Sequence, residues 1–266
     1  MVFNELIGNL QLYFLIFARV FALFMVAPVI SSSGVPPMAR GGLTLFTAVA
    51  VYPMVSTLGY VIPDQGLMYG LLMISEVLTG LLIGLFLQIV FAIFQLAGQM
   101  FSVQMGFGAS ATYDPLSQVE IPLVGQLFNL IGIFVFIVSG SIQKVFLTGI
   151  YQSFQAMRGD YLLTNPQFLS DSLIRALAQL FEQSILIAFP MMGTLLMISV
   201  TMGLLAKAAP QMNLMMVGFP IQITVGFMLI MMSSPFIIEK MVIVIEAGFT
   251  QIEELMRLYS LDGVSL

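Results

Sequence analysis

Two charged residues lie deep among apolar residues, and they are the first candidates for chemistry. Arg19 interrupts the apolar stretch 6–27, and Glu76 directly precedes a long charge-free stretch. Proton-linked transport requires a carboxylate within a membrane span, and Glu76 is the candidate for it. Because an unpaired charge in a span is costly, we predict that Arg19 and Glu76 form a buried ion pair. A location at the end of a helix would account for each residue equally well.

Other catalytic chemistry lacks the residues that it needs. The sequence contains no His and no Cys. This excludes Ser-His triads, thiolate nucleophiles and the common zinc and haem ligands. The Asp residues fall in predicted loops or near the C-terminus, so a paired intramembrane aspartyl site is not expected. We therefore predict a protein that is not an enzyme and that uses no metal or cofactor.

The composition indicates surroundings that are not water. Of the 266 residues, 59% are apolar and 8% are charged, whereas soluble domains are about 25% charged. The net charge of -5 argues against a nucleic-acid partner, which needs a basic face. The surface must therefore be covered largely by lipid or by other apolar protein.

Charge-free stretches predict the membrane-spanning segments. The charge-free stretches are residues 41–63, 121–143, 183–206 and 212–232. Residues 6–27 form a further apolar stretch in which Arg19 is the one charged residue. Lipid cannot satisfy open backbone groups, so these segments are predicted to be helices of an all-α integral membrane protein. Residues 77–113 do not fit, because a helix of this length spans about 55 Å, well beyond a bilayer core of about 30 Å. This segment either contains a break or continues beyond the lipid inside a protein assembly.

The same long segment carries a polar stripe. Gln95 and Gln99 each lie about 20° from Gln88 on a helical wheel, and Gly84 lies about 40° from it. Amides in an apolar helix favour protein or water over acyl chains. The stripe is therefore predicted to face other subunits or a channel, with ordinary packing inside one bundle as the alternative.

A loop of unusual composition follows this segment. Gly106, Phe107 and Gly108 begin it, Asp114-Pro115 predicts a turn, and Gln118 follows. Small and apolar residues with few charges suit burial in protein, where non-helical backbone is tolerated at membrane depth. We interpret this loop as a plugging or gating loop, with a plain connector as the alternative.

One block of the sequence resembles a known family. The run Gly203-Leu-Leu-Ala-Lys-Ala-Ala-Pro-Gln-Met-Asn213, followed by Gly218-Phe-Pro-Ile-Gln222, resembles a signature of the FliR family, flagellar export-gate proteins of type III secretion that are homologous to the SctT family. The resemblance extends over essentially the whole chain. The residues that carry this signature hairpin are Lys207, Pro210, Gln211, Asn213, Gly218 and Pro220. The family often carries a Gly-His pair where this chain has Ser139-Gly140, so that position is assigned no role.

The resemblance implies a specific assembly. It implies long, partly broken helices forming hairpins in a helical export gate with five FliP and four FliQ subunits, contacted by FlhB and more peripherally by FlhA. It implies a FliP-like part over about residues 1–180 and a FliQ-like hairpin over about 181–266. It places the gate at the flagellar basal body in the inner membrane, largely above the bilayer plane, where it passes unfolded flagellar proteins. A virulence-type export gate and a self-sufficient small-molecule permease are the alternatives.

Overall fold

All regular structure in the described part of the chain is helical. The computed structural model describes residues 2–32, 34–60, 62–63, 65–107, 123–157, 166–209, 211 and 214–262. The prediction of an all-α membrane protein is confirmed. The helices are α1 (Val2–Val26), α2 (Pro37–Ser56), α3 (Gly66–Gln104), α4 (Leu123–Val138), α5 (Ser141–Ala156), α6 (Pro166–Ala208) and α7 (Leu214–Asp262).

Four of these helices are long and apolar enough to cross a membrane. They are α2, α3, and the segments Ser170–Ala208 of α6 and Met216–Leu258 of α7; the bent pair α4 and α5 raises the count to five if it forms one span. In α1, the apolar segment Leu10–Val26 is shorter than a full span.

The single helix predicted over residues 121–143 is interrupted in the structure. Gly140 has a φ of 71°, and the chain bends by 75° between α4 and α5. A left-handed residue ends a helix because it cannot continue the right-handed backbone.

Helix α3 covers only part of the overlong segment 77–113. It begins earlier, at Gly66, runs unbroken for 39 residues, about 58 Å, and ends at Gln104, so residues 105–107 form a turn and not helix. Helices α6 and α7 also exceed their predicted spans, with 43 and 49 residues respectively. Helix α6 continues through Glu182 and Lys207, which bound the charge-free stretch 183–206, and α7 continues past residue 232 through Glu239 and Lys240.

The chain forms two compact units. Unit 1 comprises Met1–Val90, Ile137–Leu177 and Ile245–Leu266, and unit 2 comprises Phe91–Phe136 and Ala178–Val244. The division near residue 180 that the family resemblance implies stays a prediction.

In unit 1, two glycines allow α3 to pack directly against the backbone of α1. A Cβ atom at Gly80 would overlap the carbonyl oxygen of Arg19, and one at Gly84 would lie 3.0 Å from the carbonyl oxygen of Leu23. The small-xxx-small spacing of these glycines therefore serves a helix crossing within the chain.

In unit 2, a similar close approach joins α3 to α4. A Cβ atom at Gly98 would lie 2.7 Å from the Cα atom of Gly125. One turn along α3, the Phe94 ring occupies the space beside Gly132. Helix α6 joins this core through Ser184, whose hydroxyl donates to the carbonyl oxygen of Ile93 at 3.2 Å.

Candidate functional site

Arg19 and Glu76 form a fully buried ion pair in unit 1. The Nε atom of Arg19 lies 2.5 Å from Oε2 of Glu76, and the two side chains are 1% and 0% exposed. Both residues lie inside helices, α1 and α3, so a position at a helix end does not account for them. Pairing makes the two charges neutral as a unit, which reduces the cost of burying them.

The remaining donors of the Arg19 guanidinium bind the end of α5 and the residues after α2. Nη1 donates to Ser153 Oγ at 3.2 Å, and Nη2 donates to the Met157 carbonyl at 2.8 Å and to the Tyr60 hydroxyl at 3.5 Å. The guanidinium carbon also lies 4.0 Å from the centre of the Phe154 ring. A planar fork of five donors suits this arrangement, because it can reach several acceptors at once.

Glu76 is held on both of its oxygens. Its Oε1 atom accepts a hydrogen bond from the Tyr60 hydroxyl, while Oε2 meets Arg19. The side chain has no exposed surface, so the carboxylate has no direct path to water in this conformation. This geometry fits a structural role better than proton transfer. We call the set of residues that meet here the Arg19 cluster: Arg19, Tyr60, Glu76, Ser153, Phe154 and Met157.

The sequence pointed to one contact of this cluster. The cost of an unpaired charge predicts a partner for Arg19, and Glu76 was the available carboxylate. Ser153 and Met157 were missed, since they lie more than 130 positions along the chain. The sequence indicates only that a buried guanidinium needs further hydrogen-bond acceptors, and it does not identify the residues that supply them.

The three glutamines of the polar stripe are exposed. Gln88, Gln95 and Gln99 all lie on the uncovered face of α3. Gly84, which was predicted to share this face, is instead buried against Leu23 and Val26 of α1. The stripe in the structure therefore consists of the three amides without the glycine.

The start of the predicted plugging loop packs against the family-signature segment of α7. Gly106 has a φ of 91°, and a Cβ atom there would lie 2.6 Å from Cδ1 of Phe219. The Phe107 ring meets Phe227 edge-on, with a centroid separation of 6.4 Å. Two motifs that are separate in the sequence thus meet within unit 2. The loop residues Gly108, Asp114, Pro115 and Gln118 lie outside the described residues.

The signature hairpin is described in part. Gln222 Nε2 on α7 donates to Ser199 Oγ on α6 at 2.9 Å, so the two helices lie side by side near their shared end. Lys207, Gln211 and Pro220 are exposed, whereas Gly218 is buried. Pro210 and Asn213 lie outside the part of the chain that the structure describes.

We expect Gly106→Ala to destabilise the protein more than Gly59→Ala does. Both glycines have left-handed φ angles, but Gly59 has no atom within 4 Å of a Cβ position. Gly59→Ala should therefore lower the free energy of unfolding by about 1–2 kcal/mol, the backbone cost alone. Gly106→Ala should lower the free energy of unfolding by about 1–3 kcal/mol more than Gly59→Ala does, because the Phe219 ring must move to make room for the new Cβ atom.

Thermal unfolding of the full-length chain in detergent measures this difference. Phe219→Ala completes a double-mutant cycle. The double variant Gly106→Ala/Phe219→Ala should lose less free energy of unfolding than the two single variants lose in sum. Strict additivity would show that Phe219 does not limit the space at Gly106.

Comparison with known proteins places the chain among export proteins. The family model described as "Bacterial export proteins, family 1" matches residues 10–247. The flagellar biosynthetic protein FliR of Bacillus subtilis is 30% identical, covering 98% of this chain and 100% of that protein. FliR of Escherichia coli is 28% identical, covering 86% of each. The surface presentation of antigens protein SpaR of Shigella flexneri is 30% identical over 61% of this chain and 62% of its own length.

Proposed function

Because the chain belongs to family 1 of the bacterial export proteins, we propose that it is a structural and gating subunit of the flagellar type III protein export channel. The observation that carries this proposal is the family match over residues 10–247. The flagellar branch is favoured over the virulence branch because FliR of Bacillus subtilis aligns with 98% of the chain, whereas SpaR aligns with 61%. In this role the protein passes unfolded flagellar proteins and catalyses no reaction.

The proposed surroundings are an assembly in the inner membrane at the flagellar basal body. Its partners are five FliP and four FliQ subunits, FlhB and, more peripherally, FlhA. Residues up to about 180 form the FliP-like part, and the remainder forms the FliQ-like hairpin. The loop from Gly106 and Phe107 through Asp114-Pro115 to Gln118 contributes to the closed plug, and residues 207–213 shape the turn between α6 and α7.

The exposed face of α3 supports an assembly over a solitary permease. Gln88, Gln95 and Gln99 make no hydrogen bond with the rest of the described chain. Three unpaired amides facing acyl chains would be unfavourable, whereas polar groups of neighbouring helices or channel water would satisfy them. The length of α3, about 58 Å, also exceeds what a bilayer core of about 30 Å can cover.

We expect the triple substitution Gln88→Leu/Gln95→Leu/Gln99→Leu to reduce copurification of partner subunits and export of flagellar proteins at least about tenfold, since about 0.6 kcal/mol or more is lost per interhelical hydrogen bond. The measurement is quantitative pull-down of the tagged full-length chain from its host, together with the amount of flagellar protein in the medium. Gln65→Leu is the control, because Gln65 is exposed just before α3 begins.

Three results would contradict the proposal or part of it. Normal assembly of the triple variant would mean that this face meets lipid. Normal export in a strain that lacks the whole chain would remove the export function itself. A monomer that transports a small solute without partners would favour the permease.

A further inference from the structure

Helix α5 contains an unusual segment that the functions described so far do not use. Residues Val145–Gln152 are π-helical, a form whose characteristic backbone hydrogen bonds span five residues. The α-helical turns Ser141–Lys144 and Ser153–Ala156 flank this segment. π-Helices are rare, are mostly confined to single turns and occur frequently at functional sites. A π segment of eight residues therefore needs tertiary contacts that hold it in place.

One set of contacts holds the π segment itself. Val145, Thr148, Gly149 and Ile150 are buried. A Cβ atom at Gly149 would lie 3.4 Å from Leu23 Cδ1 of α1 and 3.6 Å from Ile83 Cγ2 of α3. The middle of the π segment is thus seated in the groove that α1 and α3 form.

The Arg19 cluster holds the residues that follow. Ser153 Oγ, the Phe154 ring and the Met157 carbonyl all meet the Arg19 guanidinium. All three positions belong to the last turn of α5 or directly follow it. The Met157 N–H closes that turn by donating to the Ser153 carbonyl at 2.9 Å. The Met157 carbonyl lies just beyond it, where the partial negative charge of a helix end attracts a cation.

The two sets of contacts can form at the same time only if the segment between them is π-helical, because an α-helix would turn its residues by a different angle. A change of one residue in an α-helix corresponds to a rotation of about 100°. If Val145–Gln152 became α-helical while Gly149 stayed seated, Ser153, Phe154 and Met157 would rotate away from Arg19. Conversely, Arg19 can hold these three groups only while the preceding segment stays in its wider π form.

We propose that the Arg19 cluster holds α5 in its π register, and that conversion of this segment to the α register is a conformational step of the export cycle. The first clause concerns this chain alone, and the second rests on the proposed function. In this view Arg19 is a positioning residue: it acts on α5, and it need not touch the exported protein. Small shifts of a packed helix between two discrete arrangements are a common means of switching.

Arg19→Lys tests the first clause. Lysine keeps the positive charge beside Glu76 but has no planar fork to reach Ser153 and Met157 at the same time. In the purified full-length chain with its copurifying subunits, we expect amide hydrogen exchange of Val145–Met157 to become at least about tenfold faster. Exchange in α2 should not change. Unaltered exchange in residues 145–157 would overturn the proposal.

Deletion of Gln152 tests the second clause. This exposed residue ends the π segment. With one residue fewer, α5 can become α-helical and still present Ser153, Phe154 and Met157 to Arg19. We expect the deletion variant to assemble at the wild-type level, to show slower exchange in the segment and to export at least about tenfold less. Deletion of the exposed Leu85, in the regular helix α3, should abolish assembly instead.

The outcomes separate the inference from the proposed function. Export at the wild-type rate by the Gln152 deletion variant, or failure of that variant to assemble, would overturn the two-register proposal while leaving the export role intact. Normal export in the absence of the whole chain would remove the export role, but it would not alter the exchange result for Arg19→Lys.

Discussion

Glu76→Gln should destabilise the protein by about 3–5 kcal/mol, because it leaves the buried Arg19 without a counter-charge. The glutamine fills nearly the same volume and can still accept hydrogen bonds, so the main change is the lost negative charge. Arg19→Met should have a comparable effect for the reciprocal reason. On thermal unfolding in detergent, such a loss lowers the midpoint on the order of 10 °C.

The double variant Arg19→Met/Glu76→Gln distinguishes a buried ion pair from two independently important residues. Replacing both charges often costs little, since the cost of desolvating them disappears together with their attraction. We therefore expect the double variant to be more stable than either single variant, while still lacking the hydrogen bonds of Arg19 to Ser153 and Met157. A double variant no more stable than the worse single variant would refute the pairing.

A matched control lies in the same unit. Lys144 and Glu246 form an ion pair with an Nζ–Oε1 distance of 3.9 Å, and their side chains are 45% and 62% exposed. Exposed pairs contribute at most about 1 kcal/mol. Glu246→Gln should therefore shift the unfolding midpoint little, although it makes the same chemical change as Glu76→Gln.

Gly80→Ala is expected to have the second large effect. The added Cβ atom would overlap the carbonyl oxygen of Arg19 and lie 3.1 Å from the Cβ atom of Ala22. Because backbone cannot rotate out of the way as a side chain can, α1 and α3 must separate. We expect a loss of about 3 kcal/mol in the free energy of unfolding, with lower accumulation of the chain in the membrane.

Gly70→Ala is the control on the same helix. No atom lies within 4 Å of a Cβ position at Gly70, so the substitution should be neutral or should stabilise α3 by up to about 1 kcal/mol through helix propensity. Both variants are compared by thermal unfolding in detergent. Equal effects of the two substitutions would show that α1 and α3 do not pack as closely as the structure indicates.

The membrane character of the fold was predictable, but the helix limits were not. Charge-free stretches located most of the apolar segments, yet α3 begins ten residues before Glu76, and α6 continues through Glu182. A charge-free stretch ends by definition at the first charged residue. A helix continues through that residue wherever its charge is paired or lies outside the lipid. The bend at Gly140 was also missed, because a glycine in an apolar run is compatible with a straight helix until its φ is known.

The candidate site was predictable at the level of its charges alone. The composition allowed very few ionisable residues in apolar segments, so Arg19 and Glu76 stood out and their pairing followed from the cost of burial. The exposed face of Gln88, Gln95 and Gln99 followed from helical periodicity. Tyr60 and Ser153 could not be assigned, since hydroxyl groups are common and many positions could supply one.

The sequence by itself determined the environment, the helical class and the need to neutralise Arg19, because these depend on the solvation of each residue and on local backbone preferences. The tertiary structure alone decided which acceptors surround the guanidinium and that residues 145–152 of α5 form a π-helix. These features depend on how segments more than 130 positions apart pack together. Packing of that kind is set by the shape of the whole core, which no local pattern encodes.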